Sequence, residues 1–151
     1  MLRDQFNNGL KEAVKAQDKR RVSTLRLINA AIKDRDIEAR GLGRDALTDE
    51  ELLGLLQKMI KQRQESLDIY EKAGRQDLAT QEREEIEIIT SYLPKQMSED
   101  EVNTVCASLV KEMDATGLKD MGKCMAALKE RYAGKMDFAK ASAAVKGILA
   151  R

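Results

Sequence analysis

Five cations fall within seventeen residues near the end of the chain: Lys119, Lys123, Lys129, Arg131 and Lys135. Cations at this density neutralise phosphates, and the counterions they release drive binding to a polyanion. Lys119 and Lys123 are four apart and on one helix would share a face. Gly117 and Gly134 lie within or beside the group, and glycine lets backbone approach a phosphate closely. A second set, Lys58, Lys61 and Arg63, is spaced i, i+3 and i+5, so Arg63 points away from the first two. That spacing favours salt bridges to the acidic helix that follows it. For the first set the competing reading is a solvated helix surface whose lysines serve solubility.

Other chemistry is narrowed by what is missing. The chain has no histidine. This removes the commonest general base, the Ser-His and Cys-His couples and the commonest metal ligand together. Cys106 and Cys124 alone cannot complete a four-ligand zinc site. Both fall on apolar helix stripes, so they read as packed thiols rather than nucleophiles. Gly117-Leu118-Lys119-Asp120-Met121-Gly122-Lys123-Cys124 matches a phosphate-binding P-loop in its glycines and lysine. It fails at Cys124, where Ser or Thr would hold magnesium, and a helix rather than a strand precedes it. Gly41-Leu42-Gly43 lacks the third glycine of a dinucleotide fingerprint. Glu84 with Glu85, and Asp49 to Glu51, sit at helix starts or on a polar face, where capping and solvation account for them. No catalytic residue, metal ligand or cofactor site is assigned, and no intrinsic enzyme activity is expected.

The 151 residues are 42% apolar, 35% charged and only 3% aromatic, with one proline. That composition is one of amphipathic helices around an aliphatic core. The net charge of +1 hides segments of +4 over residues 1–46, −5 over 47–93, −3 over 94–114 and +5 over 115–151. Charges from Arg3 to Lys15 interrupt any signal-peptide core. The longest uncharged run, Val102 to Val110, is nine residues, well short of the roughly 20 that a membrane helix needs. Two cysteines 18 positions apart read as reduced thiols, so a soluble, cytoplasmic protein with no membrane partner is expected; the sequence leaves the oligomeric state open, with a monomer favoured slightly.

Helices must position these groups. Leu2, Phe6, Leu10 and Ala13 mark a first helix ending near Gln17, and Asp18 can cap a second carrying Val22, Leu25, Ile28 and Ile32 inward. Thr48 to Glu51 is a capping box that opens a long third helix, with Leu52, Leu56, Met59, Ile60, Leu67 and Tyr70 inward, ended by Gly74. A fourth starts polar at Gln81–Glu85, with its first half expected in solvent, and becomes apolar at Ile86, Ile89 and Leu93. Pro94 cannot continue a helix, and Ser98 with Glu101 opens a new one. Val102, Val105, Cys106, Leu109 and Met113 form its stripe. Gly117 is read as a break before Met121, Met125, Leu128 and Tyr132. Gly134 is read as a break before a last helix capped by Asp137. An all-α protein is expected, with a four-helix unit over 1–93 and a basic three-helix bundle over 94–151.

Several stretches occur together: Leu47-Thr48-Asp49-Glu50-Glu51, Gln57-Lys58-Met59-Ile60-Lys61-Gln62-Arg63, Tyr70-Glu71-Lys72-Ala73-Gly74-Arg75-Gln76-Asp77-Leu78, Tyr92-Leu93-Pro94 and Lys119-Asp120-Met121-Gly122-Lys123. In this order they resemble the GatB/YqeY family, which Ser23-Thr24-Leu25-Arg26 fits more loosely. Members similar to this chain are small free-standing proteins or the C-terminal tail of the B subunit of the glutamyl-tRNA(Gln)/aspartyl-tRNA(Asn) amidotransferase. There the helical tail helps grip tRNA while amide transfer occurs elsewhere in the subunit. The resemblance implies a tRNA-associated accessory protein that reads RNA shape and phosphates. It links any carbon-nitrogen ligase role, with glutamine as amide donor, to a larger complex. The alternative is a helical adaptor docking on a tRNA synthetase, an amidotransferase or the ribosome, motivated by the acidic middle segment.

Overall fold

Helix starts follow the caps written in the sequence. In the computed structural model, which describes residues 1–150, Asp18 accepts from the Arg21 N–H at 3.1 Å and opens α2 (Lys19–Gly41) after α1 (Leu2–Lys15). Thr48 and Glu51 exchange side-chain-to-backbone hydrogen bonds at the head of α3 (Asp49–Lys72), and α4 (Gln76–Thr90) follows. Ser98 and Glu101 repeat that box at α5 (Glu99–Glu112). A 3₁₀ turn over Leu118–Asp120 leads into α6 (Met121–Arg131). Asp137 accepts from Ala139 and Lys140 N–H to start α7 (Phe138–Leu149). Each such cap is worth about 1 kcal/mol. Among the described residues there are seven α-helices and no strand, so the protein is all-α.

Helix ends depend on left-handed residues. Gln17, Gly43, Gly74 and Asp114 all have positive φ, between 50° and 75°. In each case the following N–H reaches back five positions, as Arg75 does to the Tyr70 carbonyl at 2.9 Å and Ala115 to Val110 at 3.1 Å. Gly117, expected to end the fifth helix, is instead extended; Asp114 makes the stop three residues earlier. A short polar side chain tolerates the left-handed region well enough to replace glycine there.

The chain divides at Pro94 into two compact units, Met1–Leu93 and the residues from Pro94 onward. In the first, Phe6, Leu25, Ile28, Leu52, Leu56 and Ile89 are fully buried. Tyr92 completes that core: its ring meets Phe6 edge-on at 5.1 Å, and the Arg21 guanidinium lies 5.8 Å over its face. The Tyr92 hydroxyl fills the space where a Gly9 side chain would begin, so a larger residue at that point of α1 requires the Tyr92 side chain to shift. The second unit buries Val102, Cys106, Leu109, Cys124, Leu128, Met136 and Val145. Burial pushes both thiols above their ordinary pKa, and Cys106 is aimed at the Ala141 carbonyl. Among the described residues, no helix is long and apolar enough to cross a membrane.

The polar start of the fourth helix, expected in solvent, is partly turned inward. Ala79 is fully buried and Glu85 is 4% exposed. Arg63 on α3 makes this possible by pairing with Glu85 at 3.0 Å, while Gln81 donates to the other carboxylate oxygen at 3.2 Å. A buried charge is tolerated only when its partner and hydrogen bonds come with it.

A second clamp ties α1 to α2 and to the loop before α3. Asp36 accepts two bonds from Arg3, at 2.8 and 2.9 Å, and one from the Leu47 N–H at 2.9 Å. These bonds, Arg3's first, hold the Asp36 carboxyl down at about 2. Its unfolded pKa is near 3.9, so its stabilisation is complete above about pH 4 and is lost as pH falls towards 2. Because the Arg3 side chain is 37% exposed, the contribution is discounted to about 1 kcal/mol. Asp36→Asn is expected to lower the urea midpoint at pH 7 and to flatten the fall between pH 4 and pH 2, the two curves approaching each other at pH 2 and converging below it. Parallel curves would remove this assignment.

Candidate nucleic-acid interface

The five C-terminal cations do not form a single face. Asp120 accepts from the Thr116 N–H at 2.9 Å and the Gly117 N–H at 3.4 Å, which tightens the chain into the 3₁₀ turn that carries Lys119. Lys123 lies beyond this turn, in the first turn of α6, so the two lysines are not one regular i, i+4 pair. They are gathered around the same carboxylate instead. The two backbone N–H bonds, with help from both lysine charges, hold Asp120 below the ordinary carboxylate range. It therefore stays ionised and offsets part of their charge. Lys129 is six residues beyond Lys123, about 120° round the helix.

Arg131 is already committed. Its guanidinium grips Glu112 of α5 through two bonds of 2.8 and 3.1 Å, a fork-to-carboxylate pair. Lys119, Lys123, Lys129 and Lys135 are exposed, and none makes an ion pair with the described residues. The glycine breaks do not open backbone to a ligand as expected. The Gly117 N–H is taken by Asp120, and Gly134 is buried with its carbonyl accepting from the Gln96 side chain at 2.6 Å. The Lys135 carbonyl likewise accepts from the Met97 N–H at 2.8 Å. Any anion contact here therefore rests on four lysine ammonium groups.

In the second set, Arg63 is held by Glu85 and also donates to the Met59 carbonyl at 3.3 Å. Lys58 is exposed, and Lys61 is exposed but engaged. The geometry thus leaves Lys58 as the one uncommitted cation of this set.

A further group of cations becomes visible once α2 is known to be unbroken. Lys19, Arg26, Lys33 and Arg40 recur every seven residues along it, and all four are exposed without an ion pair among the described residues. The spacing is readable in the sequence, but it means nothing until one helix spans all four positions. Two grooves adjoin the row. One of about 730 Å³ is lined by Val14, Lys19, Val22, Arg26, Leu27 and Glu85, among others. The other, of about 460 Å³, is lined by Asn7, Asn29, Lys33, Ile37 and Arg40 beside the Arg3–Asp36 pair. No group of three or more potential metal-ligating side chains occurs among the described residues.

A family model described as Yqey-like protein matches residues 3–149. The chain is 37% identical over 84 residues to altered inheritance of mitochondria protein 41, mitochondrial, of Vanderwaltozyma polyspora; the match covers 56% of this chain and 44% of that protein. The protein of the same name from Lachancea thermotolerans is 36% identical over 106 residues, covering 69% of this chain and 55% of its own length. In Pyrenophora tritici-repentis the identity is 28% over 133 residues, covering 81% and 68%. The chain thus spans about half the length of the first two relatives. Their names also overturn the expected cytoplasmic location, because all three are named as mitochondrial proteins. The physical reason is that both cysteines are buried, so their free thiols reflect packing and do not report a compartment.

Proposed function

The chain belongs to the YqeY-like family, and on that premise we propose that it is a tRNA-associated accessory protein. One observation carries the reading: Lys119, Lys123, Lys129 and Lys135 stand exposed and unpaired in the segment of net charge +5. Lysine ammonium groups on flexible stems suit a phosphate backbone read by shape, because they need no fixed fork geometry. The scarcity of aromatics argues against stacking on single-stranded bases. We take its compartment to be the mitochondrion, a reading supported by the names of the relatives. The chain performs no amide transfer by itself, and any carbon-nitrogen ligase role belongs to a larger complex. Glutamine- and ATP-dependent amidation of misacylated tRNA by the purified chain alone would contradict that statement.

Four lysines meeting phosphates give a slope of log affinity against log salt of about −3. Filter binding with total tRNA is the check. Reversing both charges, Lys119→Glu with Lys123→Glu, is expected to weaken binding at least about tenfold with no large change in melting temperature, because both side chains are exposed and unpaired. A flat salt response, or affinity weaker than about 100 μM at low salt, removes the reading.

A further inference from the structure

We infer that the outer face of α2 docks an acidic amphipathic helix of a partner protein, one whose carboxylates repeat every seven residues. The inference concerns the first unit and a protein ligand, and so is independent of the RNA reading above.

The row of Lys19, Arg26, Lys33 and Arg40 places one cation about every 10.5 Å along the helix. A second α-helix lying alongside has the same rise, so acidic groups at i, i+7, i+14 and i+21 meet every cation of the row. Seven residues fall about 20° short of two full turns, and the row drifts by that amount at each step. A partner that stays in register follows the drift as the left-handed winding of a two-helix contact.

The neighbouring surface is apolar enough to hold such a helix. Val14 is 51% exposed, Leu27 45% and Ile37 56%. Val14, Val22 and Leu27 line the 730 Å³ groove together with Lys19 and Arg26. The acid that lines it, Glu85, is already neutralised by Arg63. The lining is therefore net basic beside its apolar side chains. A phosphate backbone would leave Val14, Leu27 and Ile37 against hydrated charge, whereas an amphipathic helix buries them and pairs the cations in one arrangement. Arg20 and Arg21, the other cations at this end of α2, are occupied by Glu84 and by Tyr92 with Ser91.

The test uses the full chain and a fluorescein-labelled stapled peptide of about 22 residues, long enough to run beside the row. Leucines line one face of the peptide, and glutamate occupies every seventh position beside them. A second peptide carries glutamine at those positions, and a third carries lysine. Fluorescence anisotropy is expected to show the glutamate peptide binding more tightly than about 1 mM and about fivefold or more above the glutamine peptide. Lys19→Glu with Arg26→Glu should weaken the glutamate peptide at least about tenfold, and reversing Lys33 and Arg40 as well should make the lysine peptide the better ligand. Leu27→Ser should weaken both pairings. Equal binding of the glutamate and glutamine peptides to the unaltered chain overturns the inference, and this comparison involves no protein variant that could misfold. Failure of the lysine peptide to recover binding also overturns it. So does a duplex RNA oligonucleotide that occupies the row while the glutamate peptide does not.

Discussion

The pairing of Arg63 with Glu85 is the contact on which the rest of the first unit turns. Breaking a buried ion pair by removing one partner costs about 3–5 kcal/mol, far more than any surface pair in this molecule contributes. Because Glu85 can be buried, α4 lies against α3 from Ala79 onward, and Ile88 and Ile89 reach the shared core. The same arrangement crowds Glu82, whose carboxyl is pushed up by its own burial and then by Glu85, and whose Oε2 finds no hydrogen-bond partner among the described residues. It also withdraws Arg63 from any ligand and neutralises the acid that lines the α2 groove. One pair therefore shapes the helix hairpin, the list of free cations and the character of the neighbouring surface.

A division of labour between arginine and lysine follows. Arg3, Arg20, Arg63, Arg83 and Arg131 each hold a carboxylate, and two of them do so through a two-pronged contact. The guanidinium fork suits this structural task, while the compact, well-hydrated ammonium of lysine stays in solvent. The positive charge left available lies mostly on lysines, gathered around Asp120 and α6 in one unit and along α2 in the other. Net charge per segment counts Arg131 as available when Glu112 has already claimed it.

Local signals were the legible ones. Asp18, Thr48, Ser98 and Asp137 announce helix starts because a cap is a contact within three residues, and Gly74 announces an end for the same reason. The YqeY-like membership was readable for a related reason, since it rests on short stretches in fixed order. Long-range pairing was legible only in part: a salt bridge from the Lys58, Lys61 and Arg63 set to the following acidic helix was expected and Arg63 makes it, but the partner and its burial were not. Arg131 to Glu112 spans 19 positions, Gln96 to Gly134 spans 38, and Arg63 to Glu85 spans 22. Each changed the status of a residue that pattern alone left open: a free cation became bound, an open glycine became buried, and a solvated glutamate became core. Asp114 shows the remaining gap, because a left-handed stop at a residue other than glycine carries little signature.

The central claim is that the second unit offers lysine ammonium groups to the phosphates of a structured RNA. Amide chemical-shift mapping of the full chain during titration with tRNA tests it most directly, since it reports the contacted surface without altering any residue. Salt-sensitive shifts are expected to concentrate from Thr116 to Met136, with the α3 segment from Asp49 to Lys72 unchanged. Shifts confined to α2 or α3, with the stretch around Lys119 and Lys123 silent, would contradict it.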